Sequence, residues 1–172
     1  MTRTVAILGA GPVGLAAAAH VLERGMQPLI LDQGDAVGHS VRAWGHVPMF
    51  SNWRFNIDAA AALRLEQAGW QAPDPEAYPT GSDLVDCYLE PLGRTLAPWL
   101  RLDRRVVAVS REGIDKVKDA GRATAPFMIE TEGAAGEERH RADAVIDATG
   151  TWIQPNPGGA GRPVSTPSPA AS

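Results

Sequence analysis

Val5-Ala6-Ile7-Leu8-Gly9-Ala10-Gly11-Pro12-Val13-Gly14 is the most strongly patterned stretch of the chain, and its reading decides the fold. Four consecutive apolar residues without alternation describe a short strand covered on both faces. A glycine turn comes next. The alanine-rich segment Val13 to Arg24 then carries Val13, Ala17, Val21 and Leu22 at helical spacing, and Gly25 stands where a helix C-terminus favours a left-handed residue. Pro28-Leu29-Ile30-Leu31-Asp32 is a second apolar run, closed by a carboxylate before the loop Gln33-Gly34-Asp35. Strand, turn, helix and strand together predict a βαβ unit with two parallel strands.

The three glycines occupy the positions of G-x-G-x-x-G between a strand and a helix, and each is small for a separate reason. Gly9 permits the tight turn, Gly11 lets the backbone approach a diphosphate, and Gly14 lets the helix pack closely on the strand. The N–H groups that open the helix have no intrahelical partners and carry partial positive charge, so they suit an anion. Asp32, eighteen residues after Gly14, sits where a carboxylate at the end of the second strand accepts the hydroxyl hydrogens of an adenosine ribose. The same carboxylate repels a 2′-phosphate, and Gln33-Gly34 supply no arginine to hold one. These features imply a dinucleotide partner, with FAD or NAD preferred over NADP.

Working outward, residues 36–58 interleave Trp44, Phe50, Trp53 and Phe55 with His39, Arg42, His46, Ser51, Asn52, Arg54 and Asn56, with no regular period. Such a stretch reads as a binding loop. Ala59 to Gln67 reads as a short helix. After a link containing Pro73, Pro75 and Pro79, Ser82 reads as the N-cap of an amphipathic helix carrying Leu84, Val85, Tyr88, Leu89 and Leu92, which Pro91 bends or shortens. Val106 to Val109 and Phe127 to Thr131 read as strands, Gly133 to Gly136 as a turn into an edge strand near Glu138 to Arg141, and Ala144 to Ala148 as a buried strand stopping at Thr149-Gly150. The expected class is α/β, with a mainly parallel sheet and an antiparallel hairpin excursion.

Composition sets the outer bounds. The 172 residues, 44% hydrophobic and 21% charged, suffice for one buried core, and a scattered formal charge of −4 gives no field to gather nucleic acid. Cys87 is the only cysteine, which excludes an intrachain disulfide, a C-x-x-C redox pair and a cysteine-built zinc site. Cys87 itself reads as a small buried hydrophobe, and no metal site is expected. The run Val5 to Ala19 after Arg3 imitates a signal peptide only in part, since three glycines and Pro12 interrupt it, and no run approaches the ~20 apolar residues that cross a bilayer. A cytoplasmic location and no membrane partner are expected. Pro155 to Ser172 holds five prolines, three glycines and one charge, a composition that reads as a disordered tail. Lys116, Lys118 and Arg122 read as a solvated loop, His20 and His140 as residues without a functional role, and His39 and His46 as loop histidines that bond local backbone.

Beyond these readings, the sequence resembles the flavin-binding domain of FAD-dependent NAD(P)H oxidoreductases, nearest to flavin-containing monooxygenases. The resemblance runs from Thr4 to about Gly161 and rests on Val5 to Gly14 with Asp32, on Val37 to Trp44, and on Val145-Ile146-Asp147-Ala148-Thr149-Gly150-Thr151-Trp152. It implies that Gly9, Gly11, Pro12 and Gly14 hold the FAD diphosphate and Asp32 the ribose. It also implies that Val106 meets the adenine through its backbone, that Thr149-Gly150 lie near the cofactor, and that Trp44 to Phe55 cover the isoalloxazine. Gly38-His39 stands where the family commonly has a glycine pair, and no second G-x-G-x-x-G follows a strand. The expectation is therefore an FAD-binding domain over residues 1–154, with the tail 155–172 and without a nicotinamide domain. NAD(P)H is implied as co-substrate only in a longer relative, and no catalytic residue is assigned. A non-catalytic dinucleotide-binding module and a simple NAD-dependent dehydrogenase are the alternatives.

Overall fold

A computed structural model of the chain describes residues 2–113 and 124–151. In chain order the elements are β1 (Thr4–Leu8), α1 (Pro12–Glu23), β2 (Gln27–Leu31), the single-turn helices α2 (His39–Arg42) and α3 (Trp53–Asn56), and α4 (Ala59–Gln67). Next come α5 (Gly81–Leu84), a wide π turn (Val85–Leu89), α6 (Glu90–Leu96), β3 (Leu100–Arg101), β4 (Arg105–Arg111), β5 (Phe127–Gly133), β6 (Gly136–Ala142) and β7 (Ala144–Asp147). The tail 155–172, Trp152 and the basic loop with Lys116, Lys118 and Arg122 lie outside the described residues.

β3, β2, β1 and β7 form a parallel sheet in that spatial order, and β4, β5 and β6 form a separate antiparallel sheet. The two sheets explain why β1 is apolar throughout. Side chains alternate across a strand: Val5 and Ile7 enter the core made with α1, α4, α5 and α6, whereas Ala6 and Leu8 pack with Leu31, Ile129 and Ala142 on the side of the antiparallel sheet. The hairpin excursion is thus a layer of its own, sealing the face of the parallel sheet that the helices leave bare. β3 has two residues and no sequence period to announce it; it pairs through Ile30↔Leu100 and Leu31↔Arg101.

The helices follow their local chemistry. α1 ends before Gly25, whose φ is +67°, as a left-handed C-terminal glycine requires. Asp58 caps α4 by accepting from the Ala60 and Ala61 N–H groups at 3.0 and 3.1 Å. The expected cap at Ser82 is corrected to Thr80, whose hydroxyl accepts from Asp83 N–H while the Asp83 carboxylate accepts from Thr80 N–H. This reciprocal pair outcompetes a single serine. Leu84, Val85, Tyr88, Leu89 and Leu92 are all buried, as the amphipathic pattern required.

Pro91 does not end the helix. The π turn just before it accommodates the ring, and the Cys87 carbonyl, which lacks the usual i+4 donor because Pro91 has no N–H, accepts from the Trp70 indole at 2.8 Å. Cys87 is exposed rather than buried, another correction: it falls on the solvent side of the widened turn, between the buried Val85 and Tyr88.

Candidate dinucleotide-binding site

The C-terminal ends of β1, β2 and β7 meet the start of α1 at a cleft of about 610 Å³. Gly9 turns the chain with φ +109°, and a Cβ there would lie 2.6 Å from the Ala148 carbonyl oxygen. At Gly14 a Cβ would collide with the Gly9 carbonyl and stand 3.5 Å from Ile7 Cγ2, so α1 touches the turn directly. Gly11 is the opposite case, because a Cβ would meet no protein atom within 4 Å. Its smallness leaves open space on the cleft side. Gly11 is the N-cap of α1 and Pro12 the first helical residue; no side chain caps the helix and its first turn has no acid. The N–H groups of Val13 and Gly14 therefore have no partner within the helix, and the positive end of its dipole is unopposed.

Asp32 is half-buried at the end of β2 and is held from two sides. Ala10 N–H donates to its Oδ2 at 2.5 Å and Gly34 N–H to its Oδ1 at 2.7 Å. The carboxylate thus ties the glycine turn to the loop after β2 while lining the cleft, and each oxygen keeps acceptor capacity for a further donor. The main chain reinforces the arrangement: Gly9 N–H donates to Leu31 O at 2.8 Å, Gly38 N–H to Ala10 O at 3.0 Å and Ala148 N–H to Leu8 O at 2.9 Å.

Of the residues singled out in the sequence, Gly9, Gly11, Pro12, Asp32, Val106, Thr149 and Gly150 line this one cleft, and Gly14 lies behind it as a packing position. Thr149 donates to Asp147 Oδ1 through its N–H at 3.0 Å and its hydroxyl at 2.7 Å, and these bonds hold the Asp147 carboxyl below the usual carboxylate range. His39 lines the cleft with Nδ1 3.2 Å from Asp35 Oδ1; His46 is exposed away from it. His20 bridges Glu23 at 3.3 Å and Asp58 at 3.1 Å.

The aromatic loop divides. Trp53 is buried in the core and Trp44 packs over Gly81, whereas Phe50 is 97% and Phe55 75% exposed. Phe55 lines a second, shallower cleft with Val13, Ala17, His20, Ile57 and Tyr88, and both clefts share Pro12 and Val13 at the start of α1. Sequence reading missed Arg104 and Arg105, which reach the first cleft from the opposite layer. Both come from a segment far from Asp32 in sequence, and nothing local announces their arrival.

Residues 7–68 match the family model described as an NAD(P)-binding Rossmann-like domain. The fold is Rossmann-like. Three solved structures agree with it. Bacillithiol disulfide reductase from Bacillus cereus superposes with a TM-score of 0.65 at 24% identity over 91% of this chain and 42% of its own. S-allyl-L-cysteine S-oxygenase from Allium sativum gives 0.60 at 18% identity over 87% of this chain and 37% of its own. OTEMO in complex with FAD and NADP gives 0.58 at 18% identity over 86% of this chain and 26% of its own. The Rossmann-like chain therefore spans less than half the length of each of these proteins. No curated protein matches its sequence. Among the described residues, no helix is long and apolar enough to cross a membrane, and no group of three His, Cys, Asp or Glu side chains is placed to hold a metal ion.

Proposed function

We propose that residues 1–154 are the FAD-binding unit of a cytoplasmic flavin-dependent oxidoreductase of monooxygenase type. The observation that carries this reading is the convergence of Asp32, the uncapped start of α1, Val106 and Thr149-Gly150 on one cleft. It is supported by the resemblance of OTEMO, whose complex contains FAD and NADP. The residues fit the group. Gly11 leaves room for a diphosphate against the Val13 and Gly14 amides, Asp32 has acceptor capacity left for ribose hydroxyls, and Val106, which lines the same cleft, would meet the adenine through its backbone. Pro12, with φ preset for the first helical turn, fixes the direction of those amides, and Gly9 and Gly14 hold the turn against α1. When bound, the flavin supplies the two-electron and oxygen chemistry; this chain's own residues bind and orient it, and NAD(P)H is the reductant in a longer relative.

The match to an NAD(P)-binding model favours a second reading, in which the same cleft takes NAD. Absorbance separates the two. The protein reconstituted with FAD and freed of excess cofactor is expected to retain the visible absorbance of an oxidised flavin. A colourless protein that retains NAD instead refutes the FAD reading.

A further inference from the structure

The turn between β3 and β4 is unusually constrained. Asp103 has φ +54°, a left-handed conformation uncommon for a residue with a side chain. Three backbone bonds stitch this turn to the end of β2: Asp32 N–H donates to Arg101 O at 3.0 Å, Asp103 N–H to Gly34 O at 2.9 Å and Arg104 N–H to Asp32 O at 2.8 Å. From the other layer, Ala134 N–H donates to the Asp103 carboxylate at 3.0 Å, and a Cβ on Gly133 would run into the Asp103 carbonyl. A strained turn fixed from two sides places the residues after it with precision. Those residues are Arg104, Arg105 and Val106, all at the cleft wall beside Asp32.

The two arginines differ. Arg104 is only 14% exposed, and its guanidinium bonds Glu138 at 2.6 Å and the Asp103 carbonyl, so it is committed to the layer interface. Arg105 is 64% exposed, and its one ion pair among the described residues, to Glu132 across the β4–β5 ladder at 2.9 Å, is of the solvent-screened kind that exchanges readily. A planar, weakly hydrated cation beside a purine position is suited to stacking on the ring face.

Resting on the dinucleotide reading, we infer that Arg105 is a specificity-determining residue of the adenosine end: its guanidinium leaves Glu132 and covers the adenine face once the ribose is seated on Asp32. The contact reads the aromatic base, not the phosphate charge, which the start of α1 receives.

The test is ADP affinity by titration calorimetry on the full chain, for the parent, Arg105→Ala and Arg105→Lys, at low and at high salt. Arg105→Ala is expected to bind ADP about fivefold to tenfold more weakly, the range of an exposed to partly desolvated cation–π contact. The deficit persists at high salt, and lysine, which keeps the charge without the planar group, restores little of it. Unchanged melting temperatures confirm that these exposed variants fold. An Arg105→Ala affinity within twofold of the parent overturns the inference. So does a deficit that vanishes at high salt or is fully restored by lysine, since either marks a screened phosphate contact. A parent that binds neither ADP nor FAD refutes the dinucleotide reading itself, which separates the two failures.

Discussion

Asp32 provides the sharpest test of the site, because its carboxylate has a structural task that precedes any ligand. Its two oxygens accept from Ala10 N–H at 2.5 Å and Gly34 N–H at 2.7 Å. Hydrogen bonds to a charged group contribute about 1.5–3 kcal/mol each, and both lie at a half-open cleft where freed amides regain water, so the lower end applies. Asp32→Ala is therefore expected to cost about 3 kcal/mol in all, or roughly 6–12 °C in melting temperature for a chain of this size. Asp32→Asn discriminates further. It is nearly the same shape, yet it has one acceptor oxygen for two donors, and its amide N–H₂ must face one of the backbone N–H groups. The asparagine variant should fare no better than alanine. Thermal unfolding followed by far-ultraviolet circular dichroism, without ligand, measures both. If either variant melts within about 2 °C of the parent, equivalent to less than 1 kcal/mol, the carboxylate does not hold the turn. ADP titration of the same variants addresses the ribose: an affinity equal to the parent's refutes the placement of the ribose on Asp32, whatever the stability.

Gly14→Ala should cost about 3 kcal/mol, the upper range for overpacking, because the new Cβ meets the Gly9 carbonyl; thermal unfolding checks it, and a loss below about 1 kcal/mol refutes the conflict with the turn. Burial pushes the Asp58 carboxyl up, but the Ala61 amide, His20 and the Ala60 amide outweigh it and hold the group below its ordinary value. A depressed carboxyl stabilises above its unfolded pKa and loses that contribution as pH falls through the folded one. Asp58→Ala should thus cost about 1 kcal/mol as a lost N-cap at neutral pH and progressively less in acid; a penalty constant from neutral pH to pH ~2, below the usual carboxylate range, refutes the assignment. Native Cys87 should react with iodoacetamide, with a rate still rising above the ordinary thiol range because burial, Asp83 and Asp86 push its pKa up; protection until global unfolding contradicts its exposed position.

The parallel sheet and its turn were legible because their signals are local. An apolar run, three spaced glycines, a helical period and a terminal carboxylate lie within Val5 to Asp32 and point one way. The long amphipathic helix was legible in its buried face, while its cap lay two residues earlier and its proline was accommodated by the π turn, with Trp70 supplying a donor from seventeen residues upstream. The features that stayed hidden depend on tertiary placement. Arg105 comes beside Asp32 only because β3, too short to carry a period, pairs with β2. The aromatic loop showed its composition but not its division, since the burial of Trp53 in the core and the exposure of Phe55 at the shallow cleft beside α1 depend on tertiary packing that no local period announces.

The contact of Gly133 with Asp103 places the β5–β6 hairpin mechanically in series with the cleft wall. If occupancy of the cleft orders the hairpin through this contact, the coupling is reciprocal. Ligand that pins the wall should slow amide hydrogen exchange at Ile129 and Thr131, residues that touch no part of the cleft, and a hairpin loosened at its turn should release ligand faster. The antiparallel layer would then be a remote handle on affinity, open to adjustment without any change at the glycines.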